Sequence, residues 1–393
     1  MVHLRQGSAV ALLLAGWHIA TSSAAGIPLN RREDVSIGDF SYIKKFAAIG
    51  DSYSSGVGAG SVLKGKDDEK CSRYDESYPS RLNEDARMGG ADGHEFTYLG
   101  CLGDKTPEIL DQAKKLGDDM DLITISGSGN DLGFSNIVQG CIYQWAVYSN
   151  CDKAIKKAED VLASDELESR VNDILKEAKS HLSSKGSIYW TGYGTFFNSH
   201  TSACDKIKWN LLPEFNPQFL TQDFRHKVNK LVLDLNSKLK QLVTDGGATF
   251  VDYEQYSQDW FGRFCDDGVD ETQVYDQKDE NRGRWNDMWF QMTWSEGDLK
   301  KRGIEMKRKR SPKSDDTMDD YQPMKGDFEL VERMGIPDSI SKVFHPTPMT
   351  HEFISNVIFT LMTEKQAKDH GIDASLETPS IDDTENCSSK DIN

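Results

Sequence analysis

Hydrolysis of an ester at neutral pH needs a nucleophile exposed at a sharp turn, a base to take its proton, and donors aimed at the oxyanion that its attack creates. Ser52 meets the first requirement in this chain of 393 residues. It follows the apolar run 46–49, with Gly50 and Asp51 directly before it and Gly56, Gly58 and Gly60 shortly after. On its own, Gly-Asp-Ser is also an ordinary turn signal. What surrounds it in the fold must decide between the two.

The elements that would position Ser52 are legible as an alternation. Residues 46–49 read as a buried strand running into the Ser52 turn. Thr106 then serves as a helix N-cap with Pro107 in the first turn, and Ile109, Leu110, Ala113 and Leu116 line one face up to Gly117. A strand is expected at 122–125. A second helical stripe comprises Leu167, Val171, Ile174, Leu175, Ala178 and Leu182, and a strand at 187–190 follows it. A third stripe, Val228, Leu231, Leu235, Leu239 and Leu242, ends at Gly246-Gly247 before a strand at 248–253, and a last helix is expected at 350–364. Such alternation predicts the α/β class: a doubly wound, mainly parallel sheet with helices on both faces. Active-site turns in that class leave the carboxyl ends of the strands, which is where Ser52 falls.

Residues 266–338 break the rhythm with acidic runs, a basic run and the aromatics Trp285, Trp289, Phe290 and Trp294. The segment reads as a surface insertion whose aromatics pack locally rather than form a substrate lip. The tail, 365–393, is polar and acidic and is expected to be disordered. It holds the sequon Asn386-Cys387-Ser388.

A formal net charge of −18 argues against nucleic acid as a partner, since only the basic run at 307–310 offers a cationic patch. At the N-terminus, His3 and Arg5, an apolar run at 9–15 and small residues to Ala25 fit a signal peptide over 1–25, too short to span a bilayer. Residues 26–40, which include Arg31-Arg32, fit a pro-segment or linker, leaving 41–364 as one domain. An exported, extracellular chain would fold in an oxidising compartment, and its seven cysteines then imply disulfides with one thiol over. Cys387 is the natural odd one. Several connectivities remain open for Cys71, Cys101, Cys141, Cys151, Cys204 and Cys265, pairing of neighbours being the most economical. No Cys-x-x-Cys suits a structural zinc site, and no cofactor is expected. A monomer is the simplest expectation.

Four segments, in order, resemble the sequence blocks of the SGNH (GDSL-like) hydrolases. They are 46–58 around Gly50-Asp51-Ser52; Cys101-Leu102-Gly103; 126–134 around Gly129-Asn130-Asp131; and Val343-Phe344-His345-Pro346-Thr347. The resemblance covers roughly 46–360 apart from the insertion. It implies Ser52 as nucleophile, His345 as general base, and an oxyanion hole made by the N–H groups of Ser52 and Gly103 and the side chain of Asn130. It also implies a five-stranded parallel sheet between helices, the three sequential bridges of secreted bacterial members, and a lipase or esterase working without metal. Its substrate would be a lipid or small ester. Alternatives are an esterase that deacetylates cell-wall carbohydrate, or a secreted binding protein that kept the fold and lost turnover.

Two positions depart from the pattern. Ser128 stands where the third block usually has glycine, and Lys342 stands where an aspartate usually precedes the histidine by three residues. The resemblance therefore implies that a main-chain carbonyl, that of Lys342, orients His345, with Asp338 as the fallback. His351 lies near the start of the last helix, where surface or cap-adjacent histidines are common, and is read as a decoy. Asp131 is read as an acceptor that fixes its loop.

Overall fold

Five parallel strands form one sheet in the order β2-β1-β3-β4-β5, with β1 at Lys45–Gly50, β2 at Glu95–Tyr98, β3 at Met120–Ser126, β4 at Leu182–Thr191 and β5 at Thr249–Val251. The computed structural model describes residues 36–144, 150–202, 204–209, 218–256, 262–266 and 343–372. The α-helices among these are α1 (Ser52–Ser55), α2 (Lys66–Cys71), α3 (Tyr78–Glu84), α4 (Thr106–Ala113), α5 (Gly129–Leu132), α6 (Phe134–Ile137), α7 (Cys151–Leu162), α8 (Asp165–Ser180), α9 (Gln222–Asp245) and α10 (Pro348–Asp369).

Right-handed crossovers determine which face each helix covers. The chain moves outward from β1 to β2 through α3, then reverses, so α4, α8 and α9 cover the other face, each packed on the next. Helix α10 returns to pack against α3 and β5. The direction of winding switches between β1 and β3, and in open parallel sheets the crevice at the carboxyl ends of the switch-point strands is where ligands bind. Both central strands carry apolar runs, as strands covered on two faces do: Phe46, Ala47, Ala48 and Ile49 of β1 and Ile123 and Ile125 of β3 are inaccessible to solvent.

Gly50 closes β1 opposite Ser126. Its φ is +135°, and a Cβ there would stand 2.3 Å from the Ser126 carbonyl oxygen. Only glycine brings the two strand ends this close, and the Ser52 turn begins at that contact.

Several boundaries differ from the sequence expectations. Phe40, the last residue of the expected 26–40 linker, is fully buried with its ring stacked 5.7 Å from Phe359. Thr106 is the first helical residue of α4 rather than its cap, since its hydroxyl donates to Asp131 instead, and the helix ends at Ala113, short of Gly117. Leu182 opens β4 rather than closing α8. Helix α10 runs to Asp369, five residues past the expected 364. The signal peptide, the 307–310 run, Trp285, Trp289, Phe290, Trp294 and Cys387 lie outside the described residues.

Candidate active site

Ser52 is the first residue of α1 and sits at the carboxyl end of β1. Asp51 caps this short helix by accepting the Tyr53 N–H at 3.0 Å. Buried against the sheet, Asp51 also accepts from the Ser126 hydroxyl and the Tyr193 hydroxyl, both at 2.5 Å. Burial pushes its carboxyl above the usual range, and these donors oppose that shift. Tyr193 in turn accepts the Gly129 N–H at 3.0 Å. One buried carboxylate thus joins the Ser52 turn to β3 and to the start of α5.

His345 reaches the same point from the far end of the chain. Its Nε2 stands 2.6 Å from Ser52 Oγ, across 293 positions of sequence. Thr347 caps α10 two residues later by accepting the Thr350 N–H. Ser52 is 6% exposed and His345 half-buried, so the pair faces a restricted opening. Lys342 and Asp338, the groups expected to orient the imidazole, lie outside the described residues.

The loop after β2 carries Gly103, whose φ of +83° suits glycine alone. Three bonds hold this loop against the Ser52 turn and the segment that follows it. Cys101 N–H donates to the Gly50 carbonyl at 2.9 Å, Leu102 N–H donates to the Cys71 carbonyl at 3.1 Å, and Cys71 and Cys101 are joined by a disulfide. Asn130, in α5, donates its side-chain amide to the Asp104 carbonyl at 3.0 Å. Asn130 therefore sits directly beside the Gly103 loop.

Gln112 ties these parts together from beneath. It is buried, accepts the Gly50 N–H at 2.7 Å, and donates to the Gly50 carbonyl at 2.9 Å and the Asp104 carboxylate at 2.7 Å. Burial raises the Asp104 pKa to about 6, with the Gln112 donor opposing it. Asp131 accepts from both the N–H and the hydroxyl of Thr106, which is the loop-fixing role its position suggested.

His351 differs from expectation in its surroundings. It is fully buried rather than at the surface, and its Nδ1 accepts the Tyr78 N–H at 3.2 Å. Tyr193, Gln112 and Ser126 had no assigned role in the sequence reading. For Tyr193 a signal existed, since it lies two residues past the carboxyl end of β4, on the edge where this fold places its functional groups.

The sequence profile of the GDSL-like Lipase/Acylhydrolase family matches residues 48–277, more than half of the chain. The chain belongs to that family. Lipase 1 of Streptomyces coelicolor is 28% identical over 240 residues, covering 61% of this chain and 80% of the relative. A lipase of Streptomyces rimosus is 35% identical over 114 residues, 29% of this chain and 39% of that one. Among solved structures, a phospholipase A1 from Streptomyces albidoflavus superposes with a TM-score of 0.51 at 18% identity, covering 82% of this chain and 99% of the other. The extracellular lipase of Streptomyces rimosus does so with a TM-score of 0.51 at 19% identity, covering 81% and 99%. At such identities these two structures establish the shared fold.

As a member of the GDSL-like family, the protein is a serine ester hydrolase. Its three bridges, Cys71–Cys101, Cys141–Cys151 and Cys204–Cys265, follow the sequential pairing that the resemblance implied. The family's usual glycine at position 128 also has a visible reason here. Ser128 has a φ of +91° and is fully buried, a backbone conformation that glycine adopts without strain and serine does not. No helix among the described residues is long and apolar enough to cross a membrane.

Proposed function

We propose that the protein is an exported lipase or esterase in which Ser52 is acylated by a lipid-type ester with His345 as its base. The observation that carries this reading is the 2.6 Å approach of His345 Nε2 to Ser52 Oγ. At that distance proton transfer accompanies attack, because heavy-atom separations of about 2.6–3.2 Å are those of productive general-base pairs. The Ser52 hydroxyl proton passes to Nε2 as Oγ attacks the acyl carbonyl. The imidazolium then returns that proton to the departing alcohol, leaving an acyl-serine, and a water deprotonated by the same nitrogen hydrolyses it.

The negative charge on the carbonyl oxygen is assigned to the N–H groups of Ser52 and Gly103 and the Asn130 amide. Each such donor lowers the barrier by about 3–4 kcal/mol when it is held in place beforehand. The Cys71–Cys101 bridge and the Gln112 bonds supply that rigidity on the Gly103 side. The carbonyl of Lys342 is assigned to the Nδ1 proton, a role that needs an acceptor and no ionised acid. Aromatic rings adjoin the pair: Tyr53 lies 5.6 Å from the His345 ring, and Phe134, Phe196 and Phe344 continue the cluster. Relatives named as lipases favour a lipid-type ester as the substrate. Three disulfides and an extracellular lipase of the same fold support export.

Hydrolysis of p-nitrophenyl esters of graded chain length by the wild type, Ser52→Ala and His345→Ala tests the reading. Both variants should lose kcat by on the order of a thousandfold or more. Equal rates in all three proteins would overturn the assignment.

A further inference from the structure

We infer that Tyr53 is a positioning residue for the base: its hydroxyl clamps the peptide that delivers His345 to Ser52. The inference rests on the Ser52–His345 reading above. Tyr53 directly follows the nucleophile, and its ring is buried behind it. Its hydroxyl donates to the carbonyl oxygen of Phe344 at 2.9 Å, across 291 positions of sequence. Phe344 is the residue immediately before His345. The bond therefore joins the neighbours of both reacting residues directly, alongside the Ser52–His345 contact itself.

The peptide it holds needs holding. Phe344 has a φ of +64°, the left-handed region that a bulky side chain rarely adopts. Two restraints keep it there. Its ring is seated among Phe196, Phe264, Phe197 and Trp209, with centroids 4.8, 5.1, 5.6 and 6.2 Å away. The Cys204–Cys265 bridge braces that socket, because Cys265 adjoins Phe264, and Phe264 pairs with Phe197. The ring socket fixes where the Phe344 side chain sits. The Tyr53 hydroxyl fixes the following peptide plane through its carbonyl, and with it the direction in which the His345 Cα departs.

Tyr53 is itself rigid. Its N–H is taken by Asp51, and its ring meets Tyr193 edge-on at 4.8 Å and His345 at 5.6 Å. Burial raises its phenol well above the ordinary range, so it stays a neutral donor wherever the enzyme works and takes no part in proton transfer. An imidazole displaced by about 1 Å can cost on the order of a hundredfold in rate, so the loss of one hydroxyl remote from the substrate would be felt in turnover.

The test is a double-mutant cycle on the full chain with p-nitrophenyl butyrate: wild type, Tyr53→Phe, His345→Ala and the double variant. Tyr53→Phe keeps the ring and removes one oxygen, and circular dichroism and the melting temperature report whether the fold is retained. Its kcat should fall about 10- to 100-fold, with KM within about twofold of wild type and a slower reaction of Ser52 with an organophosphate ester. In the His345→Ala background the same substitution should change the residual rate by less than about twofold, because there is no base left to misplace. Wild-type kcat in Tyr53→Phe would overturn the inference, and so would an equal loss in both backgrounds, which would mark a role independent of His345. Should His345→Ala turn over normally, the base assignment itself fails, an outcome distinct from either of these.

Discussion

His345 and His351 flank the start of α10, six positions apart, and the fold puts them to opposite uses. His345 is half-buried on an irregular segment, with one ring nitrogen at Ser52 Oγ. His351 is inside the helix and inaccessible to solvent, with Nδ1 spent on the Tyr78 N–H. Because Nδ1 accepts, the ring proton sits on Nε2. Burial first, then the charge of Arg81 and the nearness of His345, push the His351 pKa down to about 3. A general base must exchange a proton at the operating pH. His351 stays neutral throughout, so its imidazole serves as a packed ring with an acceptor nitrogen. Residue type and position near the chain end do not separate the two; the partner of each nitrogen does.

The largest effect expected from this contrast is kinetic. His345→Ala should abolish nearly all turnover, whereas His351→Gln should hold kcat within about twofold, since no atom of His351 meets a reacting group. A His351 variant as inactive as the His345 variant, yet folded by circular dichroism, would break the comparison.

Stability should respond in reverse. The folded pKa of His351 is depressed from an ordinary 6.5 to about 3, so the unfolded chain takes up the proton first. The stabilisation this represents is complete above pH 6.5 and is lost as pH falls from there through 3. At pH 4.5 the loss is about 3 kcal/mol, at roughly 1.4 kcal/mol per pH unit. Urea midpoints at pH 7 and pH 4.5 read this directly. The wild type should lose more between the two pH values than His351→Gln does, and identical losses would refute the assignment.

The same division explains what the sequence made legible. Central strands such as β1 and β3 announce themselves because burial on both faces demands continuous apolar runs. The stripes of α8 and α9 do so because each presents one face to the core. Strand β2 went unread: it is an edge strand of four residues, Glu95–Tyr98, partly exposed and with no apolar run of its own. Helix α7 was equally quiet, since only Ile155 and Ala158 of its twelve residues are buried. Ser52 and His345 could be named from their local motifs, but not from any periodicity. The groups that hold them could not be named at all. Gln112 meets Gly50 across 62 positions and Tyr193 meets Asp51 across 142, and a glutamine or tyrosine carries no local sign of the acceptor it will find.

Gln112 extends the contrast to the side proposed for the oxyanion, as a group that bonds Gly50 and Asp104, the latter the neighbour of Gly103. Gln112→Leu keeps the volume and removes both Gly50 bonds and the Asp104 bond. A buried Gly50 N–H left without its acceptor should cost about 1–3 kcal/mol of stability. Losing the Asp104 tie, the Gly103 loop should loosen and cost about tenfold in kcat, with KM little changed. Urea unfolding and saturation kinetics separate the two effects. A stability loss without any kinetic loss would reduce Gln112 to packing.

The smallest expected effect is a gain, and it concerns a residue at the site's edge that serves neither purpose. Ser128 holds a φ of +91° next to Gly129, whose N–H reaches Tyr193. Its side chain sits fully buried, and its hydroxyl has no hydrogen-bond partner among the described residues. Ser128→Gly should therefore relieve backbone strain and remove a buried hydroxyl together, offset by the greater freedom of glycine in the unfolded chain. The balance should favour the variant by about 1 kcal/mol, read as a higher melting temperature with kcat unchanged within about twofold. A destabilised variant would mean that the Ser128 side chain contributes packing that outweighs its strain, and the loop carrying Asn130 would then depend on serine at a position where the family normally uses glycine.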